Sequence, residues 1–243
     1  MLVVQIILAI LGAAISFVLL LVLALFVGTL TIDAKKLPEK DNKFWRKIVK
    51  ILLPVVVKVC RIDMKVTNME IVPENTKFLL VCNHRSNFDP IVTWYAFRDY
   101  DIAFVSKEEN FKIPIAGRIM TACCSVAIDR VNPRNAMKTI NKAADLIKQD
   151  EVSYGIYPEG TRSKTLELLE FHNGVFKIAQ KANVPVIVST VRGTENVHKN
   201  FPFKKTEILL DILSVIPAEE VKANQTSQTG EKVRQTMEEA LSK

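Results

Sequence analysis

Phe78-Leu79-Leu80-Val81-Cys82-Asn83-His84-Arg85-Ser86-Asn87-Phe88-Asp89-Pro90 passes from an apolar run through a polar turn to a helix start. An apolar run this short, bounded by turn residues, reads as a strand buried on both faces. Pro90 suits a first helical position and Asp89 the cap before it. His84 and Asp89 are five positions apart. On one strand such residues face opposite sides, and on one helix they lie about 140° apart, so only a turn between two elements can pair them. There Asp89 can accept a hydrogen bond from one ring nitrogen of His84, leaving the other to take a proton from a hydroxyl. Taken alone, the stretch is equally compatible with Asp89 serving only as a helix cap and His84 only packing at a strand end.

Working outward, short apolar runs predict strands at 64–66, 102–105, 125–128, 153–157, 184–191 and 208–212, besides 78–82. Helical patterns predict helices at 90–97, 115–122, 135–149, 174–182 and 231–241, with 224–230 as a loop before the last. Strands alternating with helices imply an α/β fold: a single domain over 61–243 with a largely parallel or mixed sheet flanked by helices. In such sheets the chemistry sits just past the carboxyl ends of strands.

The chain has 243 residues, 49% apolar and 24% charged, with a net charge of +7, and its first 32 residues contain no Asp, Glu, Lys or Arg. That segment exceeds the ~20 helical residues needed to cross a hydrocarbon core. It lacks the positive start and the short apolar region of a secretory signal, which favours an uncleaved transmembrane anchor over 1–32 against a cleaved signal or a buried core helix. Lys35, Lys36, Lys40, Lys43, Arg46, Lys47 and Lys50 follow, opposed only by Asp33, Glu39 and Asp41. The positive-inside rule then puts the N-terminus outside and the globular part on the cytoplasmic side of the cell membrane. Over 33–60 these cations interleave with Phe44, Trp45, Ile48, Val49, Ile51, Leu52 and Val55. The pattern predicts an amphipathic interfacial helix, with Trp45 at the headgroups and lysines on anionic membrane lipids.

Cys60, Cys82, Cys123 and Cys124 show no C-x-x-C spacing and fit a reducing compartment better than a disulfide or zinc framework. No zinc-finger or basic-aromatic signature points to nucleic acid. G-x-S-x-G, Walker A, G-x-G-x-x-G and H-E-x-x-H are all absent. No metal or other cofactor is expected, because His172 and His198 lack ligand partners at metal spacing; they read as a loop and a surface residue.

A second block, Tyr157-Pro158-Glu159-Gly160-Thr161-Arg162-Ser163, follows the run 152–156. A glutamate and an arginine three apart around a glycine offer a hydroxyl acceptor and a phosphate fork on one tight loop. An ordinary exposed turn with a local ion pair would have the same composition.

Together N-H-x-S-x-x-D and P-E-G-T-R-S resemble the glycerolipid acyltransferase family, in particular its bacterial 1-acyl-sn-glycerol-3-phosphate branch, over about residues 60–215. The resemblance implies acyl transfer from acyl-CoA or acyl carrier protein, as co-substrate, to the free sn-2 hydroxyl of lysophosphatidic acid, giving phosphatidic acid without a covalent intermediate. It makes His84 the general base, Asp89 its orienting partner, Glu159 the acceptor-site glutamate and Arg162 the phosphate-binding arginine, with Gly160 and Thr161 in the same substrate loop. The family's lysine, proline-glycine and arginine segment is matched by Lys107, 111–117 and Arg130, implying two further phosphate contacts. Val188 stands where a second proline is usual and Tyr157 where phenylalanine is. Glycerol-3-phosphate, another lysolipid or a non-phosphate acceptor would suit the same motifs, and a non-catalytic lipid-binding module could share the fold.

Overall fold

The computed structural model describes residues 1–34 and 36–242. Lys35, part of the basic flank, and Lys243 at the end of the expected domain lie outside them. In chain order the elements are α1 (Leu2–Thr29), α2 (Lys43–Val59), β1 (Ile62–Thr67), β2 (Leu79–Cys82), α3 (Asp89–Ala96), β3 (Ile102–Lys107), α4 (Ala116–Ala122) and β4 (Val126–Ile128). They continue with α5 (Pro133–Lys148), β5 (Ser153–Ile156), α6 (Lys177–Ala182), β6 (Val186–Arg192), α7 (Val197–Asn200), β7 (Thr206–Ile216), α8 (Ala218–Ala223) and α9 (Thr226–Leu241).

The seven strands form one mixed, mostly parallel sheet in the order β1-β7-β6-β2-β5-β3-β4, with β6 and β7 the antiparallel pair. Along β2, Leu79 and Val81 face a core built with α5, α6 and α9. Leu80 and Cys82 face a second core, built with Val57 of α2 and Val92 of α3. All four are buried, which is why the run shows no polar alternation. The register aligns Val81 with Ile156 and Cys82 with Ser189, so β2, β5 and β6 end at one edge. Because β7 runs the other way and pairs with β1 from Ile62↔Thr206, the starts of β1 and β7 lie at that same edge.

Several boundaries differ from expectation. Asp89 is the first residue of α3, and Phe88 occupies the cap position. Its carboxylate turns back to accept from the backbone N–H groups of Arg85 and Ser86 instead of capping the helix ahead. The expected loop 224–230 is mostly helix: α9 starts at Thr226 behind a reciprocal Gln225–Gln228 capping box. Gly230, which read as a loop glycine, lies in that helix because a Cβ there would meet Asn173. The predicted helix at 174–182 opens as a 3-10 turn, Asn173–Phe176.

α1 is a 28-residue helix with an 18-residue window of mean hydropathy 3.1 in which no residue is buried by the protein; only Thr29, in its last turn, is. At about 1.5 Å per residue it is long enough to cross a bilayer core of about 30 Å. Its last turn rests on the domain, where Gly28 admits the Trp45 ring and Arg118 Nη1 donates to Thr29 O at 3.1 Å. α2 carries two apolar stripes. Trp45, Val49, Leu53 and Val57 are buried, whereas Phe44, Ile51, Val55 and Val59 are exposed. Trp45, expected at the headgroups, therefore faces the domain together with Ile119 and Cys123, and Phe44 is the exposed aromatic. Arg46, expected in the solvated basic flank, is buried and paired with Asp41 at 2.7 Å.

Candidate active site

His84 lies just past β2, where the chain leaves the sheet and doubles into α3. Asn83 anchors the exit by pairing with β6: its Nδ2 donates to Val191 O at 3.1 Å, and its Oδ1 accepts from Val191 N at 2.7 Å. The next turn wraps around Asp89, whose Oδ2 accepts from His84 Nδ1 at 2.7 Å, Arg85 N at 2.6 Å and Ser86 N at 2.7 Å. Its Oδ1 accepts from the Thr194 hydroxyl. Four donors on one fully buried carboxylate fix its position and, through it, the plane of the imidazole. The acceptor at Nδ1 holds the ring proton there, leaving Nε2 as the basic atom. The His84 side chain is 17% exposed, so its free edge reaches solvent. From one side Tyr157 stacks on it at 4.5 Å and 27°, and Tyr157 in turn stacks on Phe104.

The second block follows β5 and grips the same residue by its backbone. Glu159 Oε1 accepts from His84 N at 2.6 Å and Oε2 from Leu169 N at 2.9 Å, while Ser163 N donates to His84 O at 2.8 Å. Both oxygens of buried Glu159 are thus engaged by backbone donors; the sequence reading had aimed them at a substrate hydroxyl. Burial raises its carboxyl above the ordinary value, although the two backbone donors pull the other way. Gly160 turns the loop at φ +67°, tight against His172. Beyond it the N–H groups of Thr161 and Arg162 have no acceptor among the described residues.

The three expected phosphate contacts come to the same edge. Lys107 ends β3, Arg130 follows β4 and Arg162 follows β5. All three are exposed, and among the described residues none forms an ion pair or hydrogen bond through its side chain. A cavity of about 170 Å³ adjoins the loop, lined by Gly160, Arg130 and His172 on its polar side and by Val105, Ile140 and Ile156 among its apolar residues.

A family model described as Acyltransferase matches residues 63–192, more than half of the chain. The chain belongs to the acyltransferase family. It is similar to 1-acyl-sn-glycerol-3-phosphate acyltransferase of Saccharomyces cerevisiae, at 27% identity over 74% of this chain and 60% of that protein. The protein of the same name from Haemophilus influenzae is 30% identical over half of each chain. The chain therefore spans little more than half the length of these relatives. Among solved structures, the 1-acyl-sn-glycerophosphate acyltransferase of Thermotoga maritima superposes with a TM-score of 0.63 at 23% identity, covering 82% of this chain and 80% of that one.

Three contributors to this candidate site are not legible in the sequence. Thr194, buried at the end of β6, bonds to Asp89 across 105 positions, a separation no local pattern reveals. The ring of Tyr157, which the sequence marks only as standing where phenylalanine is usual, is the surface on which His84 rests. His172 is the loop residue expected, but Pro158 O, accepting from its N–H at 2.9 Å, brings it against Gly160 in the cleft. The spacing of two histidines on either side of a glycine loop was the available signal, and it is weak. His198 is exposed, as read.

Proposed function

We propose that this acyltransferase moves an acyl group from an acyl-CoA or acyl carrier protein thioester to the free sn-2 hydroxyl of 1-acyl-sn-glycerol-3-phosphate, forming phosphatidic acid. The observation that carries the reading is the His84 Nδ1–Asp89 Oδ2 bond of 2.7 Å beside an edge of the sheet where Lys107, Arg130 and Arg162 are unpaired among the described residues. Such an arrangement joins a general base to an anion grip. The names of the Saccharomyces cerevisiae and Haemophilus influenzae relatives, which both carry this acceptor, support the same choice.

In this mechanism Arg162 and the free N–H groups of Thr161 and Arg162 hold the acceptor phosphate, with Lys107 and Arg130 adding charge. The sn-2 hydroxyl gives its proton to His84 Nε2 as its oxygen attacks the thioester carbon. Asp89 steadies the resulting imidazolium. The tetrahedral centre then collapses, the C–S bond breaks, and the departing thiolate takes the proton back from His84. No bond to the protein forms. General-base assistance contributes about 10² to 10⁴ in rate, and orienting two bound reactants about 7 to 11 kcal/mol. Glu159, by fixing both His84 and the loop after β5, is a positioning residue. The apolar lining of the adjoining cavity, about 170 Å³, can take a few methylenes next to the reacting ester, at ~0.8 kcal/mol per CH₂.

The membrane has a direct part in this scheme. α1 acts as a single-pass anchor and α2 as its interfacial continuation, so a domain over 61–243 works on lipids without lifting them into water. The basic flank after α1 holds that domain on the cytoplasmic side.

Full-length protein in vesicles, given lysophosphatidic acid and a labelled acyl thioester, should place the label in phosphatidic acid. Thioester binding without product would leave only a lipid-binding module. In the same assay Arg162→Ala should raise the KM for the acceptor by about 10-fold or more, the worth of one hydrogen bond to a charged group, with the donor KM little changed. An unchanged acceptor KM and kcat would remove Arg162 from the grip.

A further inference from the structure

From the end of α7 to the start of β7 the chain runs Lys199-Asn200-Phe201-Pro202-Phe203-Lys204-Lys205, with no acidic residue from 196 to 206. Phe203 is 86% exposed and Phe201 46%, although the segment is compact: Phe203 N and Lys204 N both donate to Asn200 O, at 3.0 and 2.8 Å. Two aromatic side chains are thus held out into solvent by a folded loop, flanked by lysines.

The loop adjoins the far end of α2. Thr206 N donates to Arg61 O at 2.9 Å, and a cavity of about 400 Å³ is lined by Lys58 and Arg61 on one side and Lys205 on the other. Val55 and Val59, the last members of the exposed stripe of α2, lead up to this junction. Lys58, Arg61 and Lys205 line it, with Lys199 and Lys204 in the adjoining loop, against two acids, Asp63 and its cross-strand neighbour Glu207. The geometry also separates it from α1. The last turn of α1 rests on Trp45 at the start of α2, whereas Arg61 opens β1 at the edge of the sheet where His84 lies. The 17 residues of α2 put about 25 Å between the two.

We propose that the loop 198–205 is a second membrane contact, in which Phe201 and Phe203 enter the interfacial layer of a bilayer containing anionic lipid while the surrounding cations meet its headgroups. The proposal rests on the reading of α1 as a membrane-spanning helix. Lysine is depleted in protein interfaces but favoured at anionic lipid, and aromatic side chains among basic ones are the pattern of an interfacial element. The patch is continuous with the exposed stripe of α2, so one plane accommodates both. An anchor at α1 alone would hold the domain by the edge opposite His84 and leave the other free to tilt away. The loop pins the edge that carries the site, where a lipid hydroxyl would be met.

The test uses the full chain in phosphatidylcholine vesicles with or without phosphatidylglycerol. A tryptophan is placed by Phe203→Trp or, as a control on exposed Asn141 of α5, by Asn141→Trp, and the parent signal is subtracted. Lipid brominated near the headgroup end of its chains should quench the residue-203 signal several-fold more than the control, and less when phosphatidylglycerol is omitted. Equal quenching at both positions in protein that floats with the vesicles overturns the proposal. So does a blue shift at 203 without quenching, which would put a protein surface there. Protein that fails to float overturns the spanning reading of α1, and the proposal with it. Quenching is read without turnover, so a failure of acyl transfer is separately visible.

Discussion

At the edge of the sheet where β3 begins, Arg46 is 3% exposed, and every nitrogen of its guanidinium is used: Nε and Nη2 on Asp41, Nη1 on Ile102 O at 2.6 Å, Nη2 also on Cys123 O at 3.0 Å. At the opposite edge the pattern is inverted. There the carboxylates of Asp89 and Glu159 are buried and saturated with donors, while Lys107, Arg130 and Arg162 stand exposed without side-chain partners among the described residues. An arginine closed on all sides joins α2 to the sheet and has nothing left for a ligand. Cations left open beside anchored acids are free to accept a phosphate. The two edges contain the same residue types, and only their partners separate fastening from function.

The strongest way to break this contrast is His84→Ala. Loss of the base should lower turnover by about 10²- to 10⁴-fold. Stability should change little, because Asp89 keeps three other donors, Arg85 N, Ser86 N and Thr194 Oγ1. Rates at saturating substrate, alongside thermal unfolding in the same detergent, check both halves. Activity within a few-fold of the parent would take the imidazole out of the chemistry.

Arg46→Ala should do the reverse. It leaves buried Asp41 with only the exposed Lys43, at 3.3 Å, as a charged partner, and removing one partner of a buried ion pair costs about 3 to 5 kcal/mol. Denaturant unfolding should record that loss, while kcat per folded molecule stays near the parent value. A folded variant of parental stability with poor turnover would mean that this edge takes part in the reaction after all.

Much of this division could be read before any fold was known, though unevenly. The strand-turn-helix around His84 was legible because apolar run, polar turn and Pro90 are all local signals, and local signals survive in a linear text. The order of the sheet and the burial of Arg46 were not. Arg46 sits among lysines that are exposed, and only the register of α2 turns it, with Trp45, toward the domain. The same register hid the fact that α2 has two apolar stripes: Phe44 and Trp45 are adjacent in sequence but about 100° apart around a helix. Thr194 was invisible because its partner, Asp89 at the start of α3, lies 105 positions away in the chain.

Glu159 is where the smallest effect says the most. As a brace, its work is to give oxygen atoms to His84 N and Leu169 N; as a substrate ligand, its charge would matter. Glu159→Ala leaves two half-buried N–H groups without their acceptor, at about 1 kcal/mol each, and should loosen His84. Glu159→Gln keeps one acceptor and the shape. Burial holds the folded carboxyl above its ordinary 4.5, so the fold keeps its proton where the unfolded chain has lost it. The parent therefore loses stability as pH rises from about that ordinary value through the raised one, then levels off. The glutamine variant lacks that slope, since it cannot ionise. Unfolding measured from pH 4 to pH 7 should show any advantage of the parent over Glu159→Gln shrinking across this window, leaving the two within about 1 kcal/mol near neutrality, the worth of a single hydrogen bond. Turnover should follow stability. If Glu159→Gln instead stays folded and loses activity as deeply as His84→Ala, the carboxylate charge itself meets the substrate, and the catalytic edge is no longer one where only the cations are open.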